Sequence, residues 1–191
     1  MKIDIRDARP SDAEFLAWTV MAGMGADWDD LSMAVPMCLP EDSIYSWRHA
    51  RIAVTEDGSP AGCLISYPGE IYASLRDRTW GLFLRDAEKG CSGLKPLQPD
   101  AVPASEPETY PGEYYLDSLA VRPECRRRGI ARLLVEDGIA KGRALGFGRI
   151  TLLAATSSPR LIAYYSGLGF EPEGRMTFFG EDYTRMVWRG V

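Results

Sequence analysis

The chain has 191 residues, 46% hydrophobic and 26% charged, which is enough to bury one sizeable core and short for two, so a single domain over 1–191 is expected. Its 22 Lys and Arg against 27 Asp and Glu leave a net charge of −5, which repels phosphate polymers and anionic membranes and argues against nucleic acid or membrane as a main partner. The charged opening MKIDIRDARP, and the lack of any run near the roughly 18 apolar residues of a spanning helix, set the expectation of a soluble, cytoplasmic protein.

In chain order, IDIR reads as a strand. Ser11 followed three residues later by Glu14 has the form of a capping box, so a helix should begin near Asp12. Ala13, Leu16, Ala17, Val20 and Met24 give it one apolar face, and it should end by Gly25. The acidic stretch at 26–30 follows. Pro40 with Glu41 and Asp42 is then expected to open a second short helix carrying Ile44 and Trp47. From Arg51, two β-branched runs joined at Asp57-Gly58 predict an antiparallel hairpin. Residues 70–85 are expected to form one helix despite Gly81, and 86–112, rich in Pro, Gly and Ser, a long loop inserted in the domain. The final third alternates clearly: strand EYYLDSLAV, turn RRRGIA into a helix to about Leu145, strand RITLLAAT, helix LIAYYSGLGF, and a last hairpin around Gly180. Strands alternating with helices predict an α/β, mixed central sheet with helices on both faces, strands 114–121 and 149–156 being parallel neighbours.

Metal chemistry finds little support. Cys38, Cys63, Cys91 and Cys125 have no CxxC spacing, and His49 is the sole imidazole, so these read as structural residues. The turn after strand 114–121 is more informative. Arg126, Arg127, Arg128, Gly129, Ile130 and Ala131 stand at a helix start, where unpaired N–H groups and the helix dipole favour an anion such as a pyrophosphate. Three arginines alone would more often be a solvated basic cluster.

The spacing Arg126-x-x-Gly129-x-Ala131, after an apolar strand with Asp117, Leu119, Val121 and Pro123, resembles the acyl-CoA-binding motif of the GNAT superfamily of N-acetyltransferases. Tyr165 followed by Gly169-Phe170 resembles the family's Y-x-x-x-G-F segment. The resemblance implies a GNAT-like fold and transfer of an acetyl group from acetyl-CoA to a primary amine of a small molecule or peptide. It implies Tyr165 as general acid and Asp117 as base. It also implies cofactor contacts from Arg126 to Ala131, from the backbone at Leu119, Ala120 and Val121, and from Ser158, which stands where an Asn often sits. A non-catalytic acyl-CoA-binding regulatory domain is the alternative, and a homodimer stays open. The acids Asp27, Asp29, Asp30, Glu41 and Asp42 read either as the lining of an acceptor cleft for a cationic amine or as solvated surface. Gly138 and Gly142, costly inside a helix, predict close packing against a neighbour.

Overall fold

A computed structural model of the chain describes residues 2–23, 31–32, 34–87, 107–178 and 180–190. Seven strands pair into one mixed sheet: β1 (Ile3–Asp7), β2 (Ala50–Thr55), β3 (Pro60–Pro68), β4 (Tyr114–Val121), β5 (Ile150–Ala155), β6 (Glu171–Phe178) and β7 (Glu181–Trp188). Their order is β1-β2-β3-β4-β5-β7-β6. The β4/β5 pair is parallel and the other neighbours are antiparallel. β3 is buried along its whole interior, as a central strand covered on both faces must be.

The covers are α1 (Ala13–Gly23), α2 (Val35–Cys38) and α3 (Gly69–Ala87) on one face, α4 (Ile130–Ala144) and α5 (Pro159–Ser166) on the other. The first layer is filled by residues such as Leu16, Ile52, Ile65, Tyr67 and Tyr115, the second by Leu64, Leu116, Leu134, Ile150 and Met186. Each such side chain removed from water contributes about 2 kcal/mol before entropy is counted. No helix of the described residues is long and apolar enough to cross a membrane.

The hairpin at Asp57-Gly58 forms as expected, Gly58 taking φ +83°. Gly138 and Gly142 also act as their cost implied: a Cβ on Gly138 would meet Leu64 Cδ2 at 2.6 Å, and one on Gly142 would meet Ile150 Cδ1 at 2.5 Å. The two glycines let α4 lie directly on the sheet.

Three expectations need correction. Ser11 does not cap α1. The chain enters through a 3-10 turn at Pro10–Asp12, where Asp12 accepts the Arg9 N–H at 2.7 Å and pairs with Arg6 at 2.8 Å. The acid one residue inside the turn reaches an arginine from β1, which outcompetes a neutral hydroxyl. The second short helix lies before Pro40, at Val35–Cys38, not after it. Residues 43–46 stay irregular because side chains capture their amides: Ile44 N–H donates to Thr79 Oγ1 at 3.0 Å and Tyr45 N–H to Ser43 Oγ at 3.1 Å. Lastly, α3 runs through Gly81 to Ala87, so the expected loop begins later; most of it, with Cys91, lies outside the described residues, as does the acidic stretch at 26–30.

Candidate active site

β4 and β5 pair only at Tyr114 with Ile150 and Tyr115 with Thr151. Beyond that point β5 continues against β7 while β4 continues against β3, so one edge of β4 from Leu116 onward has no strand partner. The direction of its backbone groups follows from the pleat. Arg122 N–H donates to Ala61 O on the β3 side at 2.9 Å, so by alternation Leu119 and Val121 turn their N–H and C=O toward the gap. Val121 O accepts Arg126 Nε at 3.1 Å, as a carbonyl free of the sheet can. Ala120, counted with them from the sequence, instead turns its carbonyl toward Gly62 of β3 and offers its side, not its amide, to the gap.

At the end of this edge the chain makes a 3-10 turn at Pro123–Cys125 and enters α4 through Gly129, the N-cap residue, at φ +77°. Arg127 is also left-handed, at φ +61°, a conformation that costs a non-glycine residue about 1 kcal/mol. No side chain caps α4, and a Cβ at Gly129 would meet nothing within 4 Å. The first-turn amides at Ile130, Ala131 and Arg132 therefore face open space at the positive end of a 15-residue helix. The exposed Arg126, Arg127 and Arg128 surround it. The arrangement offers unpaired amides, positive charge and open space, which are the requirements of a phosphate group.

Beside the gap lies a cavity of about 90 Å³ lined by Gly23, Tyr45, Glu108, Tyr115, Asp117, Ser118, Leu153 and Tyr183. A β-bulge makes it. On β3, Ile65 opposes Ser118 and Ser66 opposes Leu116, which leaves Asp117 as the extra residue. Tyr115, Asp117 and Ser118 consequently face the α1–α3 layer, while Leu116, Leu119 and Val121 face α4.

Asp117 accepts hydrogen bonds from Tyr67 Oη and, at 2.7 Å, from Ser118 Oγ. Burial raises its pKa above the ordinary carboxylate value, and these two bonds only partly oppose the rise. Glu108, 7% exposed, accepts Tyr115 Oη at 3.1 Å. Burial, with the nearby Asp117 charge second, pushes its pKa up to about 8. Two carboxylates thus share one cavity under conditions that disfavour both being ionised.

Tyr165 sits on α5 in the opposite apolar layer, 8% exposed, its ring edge-on to Phe170 at 5.9 Å and to Tyr164 at 5.4 Å. Burial raises the pKa of its hydroxyl, which keeps the proton on it. Ser158 is the N-cap of α5, half-buried, with its side chain making no cap bond. Glu41 and Asp42 are surface acids paired to Arg48 at 2.6 Å and Arg78 at 2.7 Å, and neither lines the cavity. His49 packs edge-on against Tyr67 at 5.9 Å without lining the cavity, and burial lowers its pKa to about 4.

Glu108, Tyr45 and Tyr67 escaped the sequence reading. Glu108 belongs to an irregular segment fixed only by tertiary bonds: Arg185 Nη1 donates to Glu108 O at 2.8 Å, and Glu113 accepts Thr109 Oγ1 and Tyr110 N–H, both at 3.1 Å. Glu113 also pairs with Arg185 and with Arg149, the latter at 3.2 Å. The available signal was the acid-aromatic text Glu108-Thr109-Tyr110 ahead of a strand, which carries no period.

The profile of the Acetyltransferase (GNAT) family matches residues 23–170 of this chain. N-acetyltransferase 8B of Rattus norvegicus is 28% identical over 130 residues, which are 68% of this chain and 54% of that protein, so the chain spans about half the length of the curated relative it matches. Among solved structures, an N-acetyltransferase from Staphylococcus aureus Mu50 superposes with a TM-score of 0.76 at 22% identity, covering 96% of this chain and 99% of that one. The PaiA N-acetyltransferase of Thermoplasma acidophilum, in complex with coenzyme A, superposes at 0.58 and 13% identity over 100% of both chains. These likenesses show a shared fold.

Proposed function

This chain belongs to the GNAT acetyltransferase family, and from that premise we propose that it transfers the acetyl group of acetyl-CoA directly to a primary amine of a small molecule or peptide. The observation that carries the reading is the parting of β4 from β5, with an uncapped helix start ringed by arginines at its end and a buried carboxylate at its side. The donor, when bound, supplies a thioester already activated toward amines.

The residues of the chain divide the remaining work. Gly129, Ile130 and Ala131 would hold the pyrophosphate through backbone N–H groups, with Arg126, Arg127 and Arg128 adding charge from the rim. Leu119 and Val121 would pair with the amides of the pantetheine arm as an added strand would, and a donor on that free edge would stabilise the oxyanion. Asp117 removes the amine proton; its raised pKa makes it a stronger base than a solvated carboxylate. Tyr165 keeps its proton and gives it to the departing thiolate. Base and acid belong to opposite faces of the sheet, so neither neutralises the other across the gap.

Release of thiol from acetyl-CoA over a panel of amines tests this. Tyr165→Phe should lower kcat by about 10²-fold with the KM for acetyl-CoA unchanged. Full activity in that variant removes the acid role. Tight binding of acetyl-CoA with no amine acetylated would favour the non-catalytic acyl-CoA-binding domain instead.

A further inference from the structure

We propose that Glu108 is a specificity-determining residue of the acceptor site, forming with Asp117 and the Tyr45 hydroxyl a socket for the ammonium end of a slim alkylamine. The inference rests on the amine-acetylation reading above and names its substrate class.

Tyr45 is 3% exposed and lines the cavity, yet its hydroxyl has no hydrogen-bond partner among the described residues. A donor or acceptor entering the cavity can take up that hydroxyl. Glu108 and Asp117 each use protein donors on only part of their lone pairs: Tyr115 on the first, Tyr67 and Ser118 on the second. An ammonium has three donors and no acceptor, which suits two carboxylates and a hydroxyl. The cavity's volume of about 90 Å³ accommodates an unbranched methylene chain, and its walls are the rings of Tyr45, Tyr115 and Tyr183 with Leu153.

Charge points the same way. Asp117 and Tyr115 come from β4, Tyr67 from β3, Tyr72 and Arg76 from α3, and Tyr183 from β7, all within electrostatic reach of Glu108; Arg76 is the cation of that set, while Arg185 of β7, which donates to the Glu108 carbonyl, is paired with Glu113. Burial outweighs the pull of Arg76, so Glu108 retains its proton when nothing is bound. An arriving ammonium supplies the missing positive charge and lets that proton leave. The amide product carries no charge and no longer fits the pair, which favours its release.

The experiment compares wild type with Glu108→Gln, which keeps the acceptor for Tyr115, and with Tyr45→Phe. Steady-state acetylation is measured with n-butylamine and with aniline, which is uncharged at neutral pH, and n-butylammonium binding is followed by calorimetry. Glu108→Gln should raise the KM for n-butylamine about tenfold, and Tyr45→Phe a few-fold, with aniline and acetyl-CoA unaffected. Equal losses for both amines, or a change under twofold for n-butylamine, would overturn the socket. If wild type acetylates no amine, the transfer reading fails, while the calorimetric arm still decides the socket: tenfold weaker butylammonium binding by Glu108→Gln supports it, and equal or absent binding ends it.

Discussion

Gly69 and Tyr110 are in backbone contact: a Cβ at residue 69 would fall inside the Tyr110 carbonyl group, and Gly69 N–H donates to Glu113 O at 2.8 Å. The first residue of α3 thereby fixes the path of the segment carrying Glu108 to the cavity beside Asp117.

Gly69→Ala should force that segment outward. The expected cost is about 2 kcal/mol, seen as a melting temperature lower by roughly 4–8 °C, together with a raised KM for the amine and an unchanged KM for acetyl-CoA. A stable variant with wild-type kinetics would show that Glu108 does not depend on this contact.

Glu113 should make the fold acid-sensitive. Burial opposes its ionisation, but Arg185, the Tyr110 amide and Arg149 outweigh it and hold the pKa below the ordinary carboxylate value. A depressed carboxylate contributes stability above its unfolded pKa of 4.5, and that contribution disappears as pH falls through the lower folded value. Denaturant titrations from pH 7 to 3 should show the loss in wild type. Glu113→Gln should already lose about 3 kcal/mol at pH 7 and show a flatter acid limb.

The two pyrophosphate-turn features can be separated at one position. Gly129→Ala leaves space unchanged, since nothing lies within 4 Å, but strains φ +77° by about 1 kcal/mol and places a methyl group where a phosphate would rest. The Kd for acetyl-CoA should rise at least tenfold while the KM for the amine holds. Unchanged cofactor affinity would move the phosphate site elsewhere.

Gly142→Ala tests the α4 packing independently of any ligand. Its Cβ would lie 2.5 Å from Ile150 Cδ1 and 2.8 Å from Tyr114 Cδ1, so despite the better helix propensity of Ala the variant should lose about 1–3 kcal/mol by thermal denaturation. A gain in stability would mean that α4 can shift away from the sheet.

The parts of this protein that were legible in its sequence are those written in short periods. The strands from Tyr114 onward, the amphipathic α4 and the Asp57-Gly58 hairpin each depend on neighbours within four residues, and Arg126 to Ala131 is one continuous turn. The cavity beside Asp117 is built otherwise. Tyr45 comes from a stretch held irregular by Ser43 and Thr79, and Glu108 from one held by Arg185 and Glu113, partners 77 and 5 positions away. No local pattern encodes such distances. The Ser11 cap failed for the same reason: Arg6, on another element, decided which acid would turn the chain.

The bulge at Asp117 has a consequence for how this strand can change. Its apolar side chains run in two phases, Tyr114 and Leu116 before the extra residue, Leu119 and Val121 after it, all toward α4. Deleting Ser118 would restore an unbroken pleat with Leu119 and Val121 still toward α4, but it would remove the extra residue that sets Asp117 and Ser118 side by side at the cavity. The extra residue is therefore something the apolar core does not require: the same layers could close over a shorter strand, and what would vanish is the pair of neighbouring polar side chains on one face.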